Sequence, residues 1–136
     1  MTTDERIAIV KALEQAPFSK VLGLKVEHAR DGEAIARMPA DASLLNPGGP
    51  QAPIHGGAIA TLADFAACAA VWSLPETVTS ATISMTINYT GPGVQTDLVA
   101  RARVRRKGKR IASLTVEVTD ARGALIADAL ITYKIA

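Results

Sequence analysis

The sequence predicts an α+β fold in which an antiparallel sheet wraps around one long apolar helix, with a further helix at the N-terminus. Residues 56–72 are almost wholly apolar and open on a glycine pair. Several later segments alternate apolar and polar residues, which is the period of a half-buried strand. A very apolar helix and a sheet with one apolar face bury each other when the sheet curls around the helix.

An amphipathic helix is expected over residues 4–15. Thr3 precedes two acidic residues and is the expected N-cap, and apolar residues follow at positions 7, 10 and 13 with helical spacing. Pro17 is expected to end this helix, since proline does not fit a helix interior.

The next segment is expected to form a hairpin. From Leu22 to Met38, Asp31 and Gly32 separate two runs with strand-like composition. Residues 46–53, NPGGPQAP, are too rich in proline and glycine for regular structure.

Four strands are expected after the central helix, in the segments TSATISMTINYT, DLVARARVR, SLTVEVT and ALIADALITYKIA. In the second segment Ala100 and Ala102 fall on one face, whereas Arg101 and Arg103 fall on the other. Short turns join the segments, so we expect successive strands to pair in antiparallel order.

The composition is that of one soluble domain spanning residues 1–136. Apolar residues make up 49% of the chain and aromatic residues only 4%, so the core must consist of aliphatic side chains. No segment reaches the roughly 18 apolar residues of a membrane span, and the N-terminus lacks the apolar run of a signal peptide. We therefore expect a cytoplasmic protein with no membrane partner.

The charge and the cysteine content exclude further classes. A net charge of +2 and the scarcity of aromatic residues argue against nucleic acid as a partner. Cys68 is the only cysteine, so the chain has no internal disulfide, which fits a reducing compartment.

Asp64 is the single charged residue of the apolar helix. An ionised carboxylate is costly there unless it is paired, hydrogen-bonded or used chemically. An ion pair with an arginine from a strand is one explanation. The glycine pair eight residues earlier favours catalysis, because it uncovers backbone N–H groups at a helix N-terminus, where they stabilise an anionic oxygen.

Gly56 and Asp64 stand about 12 Å apart along the helix axis by helical rise. That distance is too long for both groups to act on one small atom. A symmetric dimer would bring the glycine turn of one subunit to the carboxylate of the other. We therefore expect a homodimer whose active sites lie at the subunit interface.

The segment NPGGPQAPIHGGAIATLADFAA resembles the Asn, His-Gly-Gly, Asp pattern of the hotdog-fold acyl-CoA thioesterases, in particular the PaaI-like branch of phenylacetate degradation. The segments PFSKVLGLKVEHARDGEAIARMPA, INYTGPG and RRKGKR are similar to other parts of that family. The resemblance implies a hotdog fold, hydrolysis of an acyl-CoA to a free acid and coenzyme A, and subunits that join their sheets edge to edge, as a dimer or as a dimer of dimers. It implies no metal, and no cofactor apart from the coenzyme A of the substrate.

The resemblance also implies roles for individual residues. Asp64 matches the catalytic carboxylate, which acts as a general base or as a nucleophile. Gly56 matches the glycine whose N–H polarises the thioester carbonyl. His55 matches a residue that supports this turn, and Thr82 matches a hydroxyl that helps to hold the water.

The catalytic amide has two candidates. The family places its asparagine closer to His-Gly-Gly, whereas Asn46 stands nine residues before His55, with three prolines between them. Asn46 and Gln51 both remain candidates, and Asn46 is favoured.

Further residues are expected to bind the substrate. Apart from the catalytic candidates, these residues include Gly57, Asn88 and Tyr89. A basic group follows at Arg106, Lys107, Lys109 and Arg110. Arginine and lysine suit the phosphates of coenzyme A, whereas a solvated hairpin tip is the alternative reading.

Two other functions fit the same scaffold. A protein that binds acyl-CoA without cleaving it would present a similar groove. A hotdog hydratase or dehydratase is disfavoured, because no histidine follows Asp64 and position 44 is leucine and not an acid. The acyl group stays open among aryl, short and medium chains.

Overall fold

The computed structural model describes all 136 residues and contains three α-helices and one six-stranded antiparallel sheet. The helices are α1 (Thr3–Leu13), α2 (Pro17–Leu22) and α3 (Gly56–Trp72). The strands are β1 (Lys25–Arg30), β2 (Glu33–Met38), β3 (Ala81–Tyr89), β4 (Leu98–Lys107), β5 (Ile111–Asp120) and β6 (Leu125–Lys134). Two short 3-10 turns, Ala42–Leu44 and Gly49–Gln51, lie between β2 and α3.

Helix α1 is shorter than the expected range of 4–15, and its N-cap is Thr2 and not Thr3. The Thr2 hydroxyl accepts the Glu5 N–H, while the Glu5 carboxylate accepts the Thr2 N–H at 2.7 Å. This capping box requires a glutamate three residues after the cap, and only Thr2 has one there.

Pro17 begins a second helix and does not merely end the first, so the expected strand-like run from Leu22 starts too early. Proline fits the first position of a helix because no N–H is needed there. Gly23 ends α2 with φ +69, a left-handed conformation that glycine adopts at helix C-termini. Strand β1 therefore begins only at Lys25, and the hairpin turn at Asp31 and Gly32 lies where it was expected.

The strand order of the sheet is β1-β2-β4-β5-β6-β3. The expectation that all four later strands pair in succession is wrong for β3, which pairs with β6 and not with β4. The free side of β4 is taken by β2 of the first hairpin. Alternation decides which face of a strand is buried, but it leaves the choice of neighbour open.

Helix α3 lies on one face of this sheet and packs mainly against β2, β4 and β5. Its contact surface is built from alanines, and Ala63, Ala66 and Ala67 are fully buried. The facing strands also present small side chains, such as Ala36 and Ala100. Small residues on both sides let the sheet approach and curve around the helix. None of the helices has the length and apolarity needed to cross a bilayer.

The two edges of the sheet differ. At the β1 edge, Glu14 accepts the Val26 N–H at 2.6 Å and Lys11 donates to the Val26 carbonyl at 3.2 Å, so side chains of α1 and its C-cap cover this backbone. Strand β3 forms the other edge with nine residues, none of them charged, glycine or proline. Most of its residues are exposed, so this edge is open to a further strand.

Candidate active site

One face of α3 lies alongside β3 and the residue that precedes it. Asp64, Cys68 and Trp72 follow one another at four-residue intervals, so each lies next to the following one on the helix surface, and Gly56 lies at the start of the helix. Across from them, in the same order, are Tyr89 against Gly56, Thr82 against Asp64, and Ser80 against Cys68 and Trp72. The register of helix and strand thus lines up the polar groups of both elements.

Asp64 is held by hydroxyl groups and not by a cation. Its Oδ1 accepts hydrogen bonds from Thr82 Oγ1 at 2.7 Å and from the Tyr133 hydroxyl at 2.8 Å. The other oxygen, Oδ2, accepts no hydrogen bond from the protein, and Asp64 forms no salt bridge. The structural alternative, in which Asp64 pairs with an arginine, is therefore wrong. The Asp64 carboxylate is half-buried and keeps one oxygen free.

Tyr133 is the site residue that sequence reasoning missed. It lies on the apolar face of β6, is 2% exposed, and pairs with Thr82 of β3 in the sheet register. Burial, followed by the nearby Cys68 and Asp64, raises the pKa of the Tyr133 phenol well above its ordinary value. The phenol therefore stays protonated and acts as a donor. The packing of α3 against β6 brings Tyr133 to Asp64, and the β3–β6 pairing brings it beside Thr82.

The end of this helix face is closed by Trp72 and Cys68. Trp72 Nε1 donates to Ser80 Oγ at 3.0 Å, and Cys68 Sγ lies 3.8 Å from the same oxygen. Burial raises the pKa of the Cys68 thiol; its contact with Ser80 opposes that shift, and the charge of Asp64 adds to it. A protonated, half-buried thiol is a weak nucleophile, which agrees with a packing role.

At the start of α3, His55 is the N-cap. Its Nδ1 accepts the Gly57 N–H at 2.8 Å. A histidine nitrogen accepts only when it carries no proton, so the neutral ring has its hydrogen on Nε2, which is then a donor. The Gly56 N–H has no acceptor within the protein, so Gly56 offers the uncovered N–H of the pair.

The stretch around Asn46 explains how that residue lies near the turn despite its distance in sequence. Leu45 bridges to Ile54, and the Asn46 N–H donates to the Pro53 carbonyl at 2.9 Å. Residues 47–52 therefore form a loop whose two ends lie side by side. Asn46 is half-buried and lines an open groove of about 580 Å³, whereas Gln51 is exposed and lies outside it. The arrangement favours Asn46.

Of the catalytic candidates, Asn46 alone lines one of the four main grooves of the single chain. The largest, of about 730 Å³, lies between α1 and β1, and the groove beside Asn46 is the next. Asp64, Thr82 and Gly56 line none of the four main grooves. One chain alone thus leaves Asp64 on an unenclosed surface.

The predicted basic residues lie at the end of the sheet where β3 begins. Lys107 forms a salt bridge with Glu76, but the others make none. Lys134 pairs with both Ala81 and Ile111 in the sheet and adds a cation at this end. We call the unpaired and exposed cations Arg106, Lys109, Arg110 and Lys134 the basic end.

Asn88 and Tyr89, two neighbouring candidates, are separated by the alternation of β3. Tyr89 faces α3 and donates to the Gly56 carbonyl at 2.7 Å. Asn88 is exposed on the opposite face of the sheet, beside Asp128 and Arg105, and the fold does not bring it to Asp64.

Comparisons with known proteins identify the family of the chain. Residues 53–127 match the model of the thioesterase superfamily. The chain is 32% identical to human acyl-coenzyme A thioesterase 13 over 123 residues, which are 88% of this chain and 86% of that protein. It is 25% identical to the E. coli PaaI protein of the phenylacetic acid degradation operon, with a TM-score of 0.82 over 98% of this chain and 93% of that one. A Streptococcus pneumoniae structure described as a hypothetical thioesterase with coenzyme A is 25% identical, with a TM-score of 0.75 over 83% and 85% of the two chains.

Proposed function

Because the chain belongs to the thioesterase superfamily and is a thioester hydrolase, we propose that it hydrolyses an acyl-CoA with an aryl, short or medium acyl group to the free acid and coenzyme A. The observation that carries this proposal is the geometry of Asp64. Its Oδ1 is held by two hydroxyl donors, while its Oδ2 is free to accept a proton or to attack. Coenzyme A belongs to the substrate, and no further cofactor is proposed.

Asp64 supplies the base or the nucleophile. As a general base, Oδ2 takes a proton from a water molecule whose oxygen attacks the thioester carbonyl carbon. The tetrahedral intermediate then collapses, the C–S bond breaks, and the leaving thiolate of coenzyme A takes up the proton. As a nucleophile, Oδ2 attacks the same carbon, the C–S bond breaks, and the thiolate of coenzyme A leaves a mixed anhydride on Asp64. Water hydrolyses this anhydride, which releases the acid, restores the Asp64 carboxylate and supplies the proton that the thiolate takes up. Both routes need an unpaired carboxylate oxygen.

The turn at the start of α3 supplies the oxyanion donor. The Gly56 N–H is uncovered and stands at the N-terminus of a 17-residue helix, where the helix dipole also favours negative charge. Negative charge develops on the carbonyl oxygen of the thioester during the attack, so a preorganised N–H there lowers the barrier. His55 Nε2, the protonated ring nitrogen, is a second donor beside this turn.

The site is completed by a second copy of the chain. The open β3 edge and the covered β1 edge support edge-to-edge pairing through β3. Two side chains of this edge strand bond to the two parts of the site: Thr82 to Asp64 and Tyr89 to the carbonyl of Gly56. A two-fold axis at this edge places the Gly56 turn of each subunit beside the other subunit's carboxylate. The dimer is proposed to pair again into a tetramer.

The test is turnover of an acyl-CoA panel by the wild type and by Asp64→Asn, with detection of the released thiol. The amide keeps the shape of the side chain but is neither a base nor a nucleophile, so kcat should fall at least about 10²-fold. Asp128→Asn is the matched control, because Asp128 lies on the sheet face away from α3. Wild-type rates in Asp64→Asn would overturn the assignment, and a thioester that binds but stays intact for hours would indicate a carrier protein.

A further inference from the structure

Tyr133 is held against Asp64 by the core of the protein. It is 2% exposed and occupies the apolar face of β6 between the paired residues Ala112 and Thr82. A buried phenol requires a hydrogen-bond partner, because an unpaired hydroxyl in the core is costly. The partners here are two atoms of one residue, namely Asp64 Oδ1 at 2.8 Å and the Asp64 carbonyl oxygen at 3.1 Å.

This contact divides the two oxygens of the carboxylate into different roles. Oδ1 receives both hydroxyl hydrogens, from Thr82 and from Tyr133, and is therefore saturated. Oδ2 receives none. Two donors that approach one oxygen from different strands fix the plane of the carboxylate, so the free oxygen always points in the same direction.

The two donors are not equivalent. Thr82 is exposed on the edge strand, and its hydroxyl can also bond to water or to substrate. Tyr133 is almost fully buried, and the acceptors of its hydroxyl hydrogen are both atoms of Asp64. Its side chain is also anchored by a central part of the sheet, since β6 is paired on both sides.

We infer that Tyr133 is a positioning residue, which orients the Asp64 carboxylate so that Oδ2 faces the thioester. This inference rests on the proposed function, since it assumes that Asp64 performs the chemistry. Tyr133 touches neither water nor substrate in this scheme and acts only through Asp64. Productive orientation is required in the transition state, so its loss should lower kcat and leave KM nearly unchanged.

The first test is Tyr133→Phe, which removes one oxygen and keeps the ring. Loss of a hydrogen bond to a charged group corresponds to a fall of about 10- to 100-fold in kcat. Ile131→Val is the matched control for core damage, since Ile131 is buried two residues earlier on the same face of β6 and has no polar side-chain atom that could bond to Asp64. It should lower Tm and leave kcat at the wild-type value.

A double-mutant cycle separates positioning from a general effect on the fold. In the Asp64→Asn background, Tyr133→Phe should change the residual rate by less than about twofold, because the group that it orients has already been disabled. An equal loss in both backgrounds would overturn the inference. If Asp64→Asn is inactive while Tyr133→Phe has wild-type kcat, Tyr133 has no such role and the proposed function stands. If Asp64→Asn is itself active, the proposed function fails first.

Fluorinated tyrosine provides a second measurement should Tyr133→Phe not fold. In a Tyr89→Phe background Tyr133 is the only tyrosine, so residue-wide replacement alters that phenol alone. Added fluorine makes the hydroxyl a stronger donor with little change in size. A positioning hydrogen bond predicts that kcat changes progressively with fluorine content, whereas a kcat that does not respond would contradict it.

Discussion

The hydroxyl of Tyr89 donates a hydrogen bond of 2.7 Å to the carbonyl oxygen of Gly56 and so ties the edge strand β3 to the first turn of α3. The same peptide unit donates its N–H, that of Gly57, to His55 Nδ1. Both polar atoms of the peptide between the two glycines are therefore fixed, and only the Gly56 N–H remains uncovered. The turn is thus held rigid beside the N–H that is proposed to stabilise the oxyanion.

A side chain at Gly56 should disrupt this arrangement. A Cβ there would lie 3.1 Å from Tyr89 Cζ, so the ring must move. Tyr89 is 50% exposed and can give way, so stability should change little. The turn loses its tyrosine contact, and we expect kcat/KM to fall at least about tenfold.

Gly108→Ala is the matched control for that variant. Its Cβ would meet no atom closer than 3.7 Å, and the residue lies in the turn between β4 and β5. Steady-state kinetics and thermal unfolding of the two variants check the prediction. Equal activity in both would show that the Tyr89–Gly56 contact has no part in catalysis.

The basic end is expected to bind the phosphates of coenzyme A. Removing two cations with Lys109→Ala and Arg110→Ala should raise KM for acyl-CoA about 5- to 10-fold at low salt, because charge-assisted contacts to phosphate are lost. The same variant should cleave the corresponding acyl-pantetheine, which lacks the nucleotide, with unchanged KM. Arg122→Ala is the control, since Arg122 is also exposed and without a salt bridge but lies in the turn between β5 and β6. A KM that rises equally for both substrates would contradict phosphate binding.

The shared site predicts complementation between two inactive variants. In a heterodimer of Asp64→Asn with Gly56→Ala, one site receives both intact residues and the other receives both substitutions. Random exchange of subunits should therefore restore about one quarter of the wild-type activity. The measurement is the rate before and after the two variants are unfolded and refolded together.

Asp64→Asn mixed with Thr82→Val is the control for that experiment. Thr82 donates to Asp64 within one chain, so both substitutions lie in the same half of the site and cannot complement. Activity should stay at the mean of the two parents. A similar gain in both mixtures, or none in the first, would be inconsistent with a site shared between subunits.

Cys68 should react slowly with alkylating reagents in the folded protein. Burial raises the pKa of its thiol, so at a given pH a smaller fraction is thiolate than in a free cysteine. The rate of iodoacetamide modification at pH 8 should be at least about tenfold below that of the unfolded chain. Because the pKa of the Cys68 thiol is higher in the folded than in the unfolded protein, its contribution to the free energy of unfolding is fully present below the unfolded-state pKa. This contribution is lost as the pH rises through the folded-state pKa. Fast modification of the native protein would contradict a packing role.

Much of the fold followed from local patterns. The alternation around Ala100 and Arg101 correctly divided β4 into a buried and an exposed face. The apolar run that begins at Gly56 marked the central helix, in which Asp64 is the single charged residue. Such patterns are readable because the direction of a side chain depends on the local period of the backbone.

Contacts between distant segments leave no such local pattern in the sequence. Arg6, in the expected N-terminal helix, is buried and donates to the carbonyls of Pro75 and Thr77. Asn46 lies beside the His55 segment only because residues 47–52 loop out. Neither pairing changes the local sequence pattern, so neither could be predicted from it.

The sequence by itself determined the elements, their buried faces and the presence of one carboxylate in an apolar helix. The tertiary structure decided what surrounds that carboxylate. Tyr133 meets Asp64 across 69 residues of chain because α3 packs against the sheet face on which β6 presents this tyrosine, and Thr82 joins them because β3 pairs with β6 and not with its successor β4. The choice of strand neighbours depends on how the whole sheet packs around α3, and that packing free energy is a property of the complete chain.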